Sequence, residues 1–83
     1  MNLKDKIRVI EDFPVEGISF KDITTLLSDG EAYEYSIDKM IELFSAVEYN
    51  VIVAPEARGF SIGAPMAIKT KKAFVPIRKP GKL

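Results

Sequence analysis

Apolar positions along the chain recur first at helical spacing and then in short unbroken runs, so its front and back predict different structure. Leu3, Ile7 and Ile10 fall at i, i+4 and i+7, which predicts a short N-terminal helix. That helix ends before Asp12-Phe13-Pro14, because a residue preceding proline avoids helical backbone. Residues 14–17 read as a turn, and Asp22 can cap a single helical turn over residues 23–27. Ser28 and Glu31 have the spacing of a capping box and open an amphipathic helix. Its apolar face is Tyr33, Ile37, Met40, Ile41, Phe44 and Val47, with Glu34, Asp38, Lys39 and Glu42 on the other side. The Tyr33, Met40 and Phe44 stripe reads as core packing rather than a cofactor contact.

Val51-Ile52-Val53-Ala54 is a continuous apolar run rich in β-branched residues, which suits a strand covered on both faces. Ala73-Phe74-Val75-Pro76-Ile77 is a second such run, with Pro76 expected at the strand end or on an unpaired side because it lacks an N–H. The 18 residues between the runs are too many for a hairpin and enough for a crossover helix. A helix over residues 60–71 would be about 18 Å long, which matches a five-residue strand of about 17 Å. The expected fold class is therefore α/β, with a right-handed βαβ unit and parallel strands. Gly63 and Pro65 weaken the front of that helix, so its regular part is expected to begin near Ala64.

A chain of 83 residues allows one small domain. It holds no cysteine and no histidine. No apolar run approaches the roughly 20 residues needed to cross a bilayer, and no secretory pattern opens the chain, so the expected setting is cytoplasmic, without membrane contact. Net charge is zero, but all 12 acids lie in residues 1–56 beside five bases, a balance of −7, whereas residues 57–83 carry seven bases and no acid, a balance of +7. A basic half of this kind meets an anion, either nucleic acid or a polyphosphate, unless it is only a solvated face.

The most telling stretch is Pro55-Glu56-Ala57-Arg58-Gly59-Phe60, placed between an apolar strand and a helix. A helix N-terminus offers unpaired N–H groups, Gly59 lets backbone come close, and Arg58 adds a bidentate donor, so the loop reads as a seat for phosphate. Arg58 has one bland alternative, a structural ion pair with Glu56. Ligands of open α/β sheets sit beyond the carboxyl ends of the strands. The loop at residues 56–59 and the basic loop at residues 78–82 both lie on that edge. Lys69, Lys71 and Lys72 read as a solvated helix end, where cations suit the helix dipole.

Three blocks together resemble the N-terminal half of the adenine phosphoribosyltransferase family, among the type I phosphoribosyltransferases. The first runs from Ile10-Glu11-Asp12-Phe13-Pro14 through Gly17-Ile18-Ser19-Phe20-Lys21-Asp22-Ile23-Thr24 to Leu26-Leu27. The second is Glu56-Ala57-Arg58-Gly59-Phe60 with Gly63-Ala64-Pro65, and the third is Val75-Pro76-Ile77-Arg78-Lys79-Pro80-Gly81-Lys82-Leu83. The resemblance implies a parallel sheet flanked by helices with an N-terminal hood segment, residues 1–83 forming the first part of a single domain. It implies transfer of a 5-phosphoribosyl group from phosphoribosyl pyrophosphate to adenine, giving AMP and pyrophosphate, with Mg2+ held mainly through the pyrophosphate. Ala57, Arg58 and Gly59 would bind pyrophosphate. Arg78, Lys79 and Lys82 would do so from a basic loop that partly reaches across a homodimer interface. Phe20 would stack on adenine, with backbone near Ser19 and Lys21 on its edge.

Two acids followed by a Leu-Ala-Thr-Gly-Gly-Thr loop, the family's ribose-phosphate signature, do not occur in the chain, and neither does the acidic lid loop. No catalytic acid or base can be assigned, and the expectation is a truncated enzyme that is inactive alone and marginally stable. Two other classes compete with it. A nucleotide-sensing regulator with this fold would carry a DNA-binding domain in front, but the residues before the first strand hold the hood signature and no basic recognition helix, so no nucleic acid partner is expected. A generic βαβ phosphate binder would leave Asp12-Phe13-Pro14 and Phe20-Lys21-Asp22 unexplained.

Overall fold

The computed structural model describes residues 1–81, and no helix in it is long and apolar enough to cross a membrane. The chain forms two compact units, Met1–Ser36 and a second from Ile37 onward.

In the first unit the expected N-terminal helix is replaced by a 3-10 turn, Leu3–Lys6, and a strand β1, Arg8–Glu11. β1 pairs antiparallel with β2, Ser19–Asp22, placing Arg8 opposite Asp22 and Ile10 opposite Phe20. These two matched pairs, one charged and one apolar, overrule the helical spacing of Leu3, Ile7 and Ile10. Arg8 donates from Nε and Nη2 to Asp22 Oδ2. The connecting loop closes on itself: Phe13 N–H bonds Ile18 C=O at 3.1 Å, and Gly17 N–H bonds Asp12 Oδ1 at 2.9 Å. Asp12 and Gly17 take positive φ, 55° and 88°, which aspartate tolerates and glycine adopts freely.

Asp22 also accepts from the N–H and the hydroxyl of Thr24 at the start of α1, Thr24–Leu27, and so bonds the first turn as expected, although the residue in the cap position is Ile23, which makes no side-chain cap bond. Those two bonds, followed by the one from Arg8, pull the Asp22 carboxyl from 3.8 to about 2, against the opposing effect of burial. The next helix, α2, spans Gly30–Leu43. Its cap is Asp29 rather than Ser28: Asp29 Oδ1 accepts from Ala32 N–H at 3.1 Å, whereas Ser28 Oγ donates to Thr24 C=O. That N–H, and then the ammonium of Lys6, hold the Asp29 carboxyl below its ordinary range. Leu26, Ala32 and Ser36 are buried.

The second unit begins within α2, which stops at Leu43, short of the expected end of the apolar face; Phe44 and Val47 lie beyond the helix and are exposed. Tyr33 and Met40 from the same stripe are half-buried. β3, Val51–Pro55, and β4, Ala73–Ile77, pair in parallel with Val53 opposite Val75 and Pro55 opposite Ile77. The crossover is α3, Arg58–Thr70. It starts six residues ahead of the expected regular helix, and Pro65 falls inside it rather than in its first turn.

Small residues let α3 lie close to β3. A Cβ at Gly63 would stand 2.7 Å from Phe74 Cε1 and 3.0 Å from Ala54 Cβ, and one at Gly59 would meet the Pro55 ring at 2.9 Å. Ala67 continues this i, i+4, i+8 row and is buried with Met66 and Ala54. Phe60 of α3 meets Phe74 of β4 edge-on, centroids 5.7 Å apart. The helix ends on Lys71 in the left-handed region, φ 59°. Only one face of the strand pair is covered among the described residues: Val51, Val53, Val75 and Ile77 share the other and are 38–53% exposed, which corrects the expectation of a strand covered on both sides.

Candidate functional site

The parallel register decides what meets at the carboxyl edge of the second unit. Pro55 is opposite Ile77, so the residues one step further on, Glu56 and Arg78, are neighbours. Glu56 N–H donates to Ile77 C=O at 3.1 Å, which ties the two loops at the backbone. Their side chains repeat the tie: Arg78 donates from Nε at 3.3 Å and from Nη2 at 3.1 Å, both to Glu56 Oε2. Glu56 Oε1 is buried without a hydrogen-bond partner among the described residues. The Glu56–Ala57 peptide is cis.

Immediately beyond lies the N-terminus of α3. Ala57 is its cap residue and has no side chain that could bond the first N–H groups. Phe60 N–H turns back to Ala57 C=O at 3.1 Å, while Ala57 and Arg58 are exposed. A helix start whose leading amides face no capping side chain, with a guanidinium on its first residue and a second guanidinium one loop away, is suited to an anion with several oxygens. Gly59 serves packing: its missing Cβ is what lets α3 pass the Pro55 ring.

Arg58, Arg78 and the Glu56–Ala57 turn thus share one edge, with Lys79 exposed in the loop after β4. Lys82 lies outside the described residues. The bland alternative for Arg58 is an ion pair with Glu56; the structure shows Glu56 holding Arg78. The signal that could have found it was the equal length of the two strands, which puts the residues following each strand side by side. Of the basic residues at the end of α3, Lys69 pairs with Asp38 and the ammonium of Lys72 stands 5.4 Å from the ring centroid of Tyr49.

Ser19, Phe20 and Lys21 lie together on β2 in the first unit. Phe20 is half-buried and meets Phe13 edge-on, centroids 5.3 Å apart and planes at 72°. Ser19 Oγ donates to Glu11 Oε1 across the hairpin, and Lys21 is exposed. Among the described residues no three His, Cys, Asp or Glu side chains cluster to hold a metal ion.

No family model matches the chain. Curated relatives do: an adenine phosphoribosyltransferase of Clostridium perfringens is 60% identical over all 83 residues, and one of Clostridium acetobutylicum likewise 60%, each covered over 48% of its own length. Among solved structures, the adenine phosphoribosyltransferase of Thermoanaerobacter pseudethanolicus matches 98% of the chain with a TM-score of 0.93 and 51% identity, over 48% of its length. APRTase from Giardia lamblia, complexed with 9-deazaadenine, matches the whole chain with a TM-score of 0.88 and 35% identity, also over 48% of its length. The chain therefore spans about half the length of the curated relatives it matches.

Proposed function

We propose, from a chain that corresponds in sequence and in α/β fold to the N-terminal half of an adenine phosphoribosyltransferase, that it supplies the pyrophosphate seat and the base-holding hood of that reaction. The reaction moves a 5-phosphoribosyl group from phosphoribosyl pyrophosphate to adenine and releases pyrophosphate. The observation that carries this reading is the carboxyl edge of β3 and β4, where α3 starts at Arg58 with no capping side chain and Arg78, just past β4, is tied to Glu56, just past β3.

Departure of pyrophosphate develops negative charge on its oxygens. Amide N–H groups at residues 57–59 and the guanidinium groups of Arg58 and Arg78 would stabilise that charge, with Lys79 and Lys82 adding to the field. The ribose carbon turns cationic as its bond breaks, so positioning and exclusion of water count for more than a strong base. A flat purine suits the ring of Phe20, with the Ser19 and Lys21 backbone on its edge. Mg2+ would arrive on the diphosphate, since the loop offers a single carboxylate, Glu56, and Arg78 already holds it. In this reading the two compact units are parts of one domain. The whole protein works as a cytoplasmic homodimer, and the 83 residues alone turn over no substrate because they include no ribose-phosphate loop and no general acid.

Two measurements test it. The purified chain should form no AMP from adenine and phosphoribosyl pyrophosphate, and clear turnover would refute that part. In a protein of the relatives' full length, Arg58→Ala should weaken use of phosphoribosyl pyrophosphate far more than binding of adenine; equal loss for both substrates would remove Arg58 from the pyrophosphate seat.

A nucleotide-sensing module of the same fold is the second reading. The downstream coding sequence discriminates: an Asp-Asp pair followed by Ala-Thr-Gly-Gly favours the transferase.

A further inference from the structure

A carboxylate beside a diphosphate seat needs an explanation, because its charge opposes the ligand. Glu56 sits at that edge with its side chain 20% exposed. One of its oxygens is buried and makes no hydrogen bond among the described residues, which costs stability rather than adding to it. Its other oxygen takes both of its bonds from Arg78. A guanidinium has five N–H donors in a rigid planar fork. Arg78 uses Nε and one Nη2 hydrogen on Glu56, and its other donors have no protein partner among the described residues. A fork gripped along one edge keeps a fixed plane and presents the opposite edge.

We infer that Glu56 is a positioning residue: its carboxylate fixes the Arg78 guanidinium so that the free edge of the fork meets the diphosphate. The inference rests on the proposed function and deepens it. It assigns Glu56 a task that its charge alone would forbid. The backbone bond from Glu56 N–H to Ile77 C=O supports it, because the same residue ties the two loops at main-chain and side-chain level and leaves Arg78 little freedom to lose on binding.

The sign of one substitution separates positioning from proximity. Inorganic pyrophosphate is titrated calorimetrically into the 83-residue chain as wild type, Glu56→Gln, Arg78→Ala and the double variant. Removing a carboxylate that merely lies near the anion tightens binding. Removing one that aims Arg78 weakens it, by about tenfold for the loss of one well-directed charge-assisted contact. In the Arg78→Ala background Glu56 has nothing left to aim, so Glu56→Gln there should tighten binding. This reversal is the expected result. The Arg78 Nε–H resonance should also be sharp in the wild type and broaden in Glu56→Gln, an effect a general loss of stability at another site would not single out. Tighter or unchanged binding by Glu56→Gln in the otherwise wild-type chain overturns the inference.

Should Glu56→Gln fail to fold by circular dichroism, Arg78→Lys carries the test. It keeps the charge but cannot be gripped edge-on, so binding as tight as wild type overturns the positioning role and a loss like that of Arg78→Ala supports it. If the wild type binds no pyrophosphate, the proposed function and this inference fall together. If the wild type binds, Arg58→Ala abolishes binding and Glu56→Gln tightens it, the proposed function stands and only this inference fails.

Discussion

Substituting alanine for Gly63 tests the packing that places the candidate loop. The new methyl would lie 2.7 Å from Phe74 Cε1 and 3.0 Å from Ala54 Cβ, closer than carbon atoms approach without movement. Neither neighbour yields easily. Ala54 Cβ is fixed to a paired strand, and Phe74 is held edge-on by Phe60 at 5.7 Å. Overpacking of this kind costs about 1–3 kcal/mol. Alanine in a helix interior returns about 1 kcal/mol through backbone propensity. With both neighbours constrained, the cost should fall in the upper part of that range, about 2–3 kcal/mol, so the clash wins by roughly 1–2 kcal/mol. Each kcal/mol corresponds to about 4–8 °C of melting temperature in a domain of this size. Thermal unfolding followed by far-ultraviolet circular dichroism reads the shift directly. Gly30→Ala is the matched control: the same chemical change at the first residue of α2, where an added Cβ meets nothing within 4 Å, should leave stability unchanged or slightly higher. A Gly63→Ala protein that melts at or above the wild type would refute the close helix–strand contact.

Other outcomes follow from local geometry. The Asp22 carboxyl has its folded pKa lowered from 3.8 to about 2, so the stability it confers is complete above pH 3.8 and is lost as pH falls through about 2; acid titration should show the advantage of wild type over Asp22→Asn shrinking across that window, and a constant difference would contradict it. Because Asp29 caps α2, Asp29→Ala should lower helix content and melting temperature, while Ser28→Ala changes them less. The reverse ranking would restore the capping box. Lys71 sits at φ 59°, so Lys71→Gly should stabilise the chain by about 0.5–1 kcal/mol after the greater unfolded freedom of glycine is subtracted, as measured by urea denaturation.

The strand–helix–strand back half could be read in the chain because its signals are local. Val51 to Ala54 and Ala73 to Ile77 are unbroken apolar runs, and the segment between them has the length of one crossover helix. The hairpin could not be read in the same way. Its stabilising pairs, Arg8 with Asp22 and Ile10 with Phe20, are partners 14 and 10 positions apart, and no period within residues 3–10 announces them. The start of α3 was misplaced because glycine and proline lower helical propensity. The contacts that make Gly59 and Gly63 worth keeping, with Pro55, Ala54 and Phe74, appear only once the helix lies on the strands. At the candidate site, residue types pointed to an anion seat and to Arg58. The pairing of Glu56 with Arg78 depends on strand register, which single-residue chemistry does not encode.

The bare flank of the strand pair governs how the isolated chain behaves in a tube. Valine and isoleucine side chains left in water, Val51, Val53, Val75 and Ile77, coalesce when two molecules collide. Concentration then becomes a variable to control beside heat: association through these flanks rises with concentration by mass action, and dilution keeps the molecules apart.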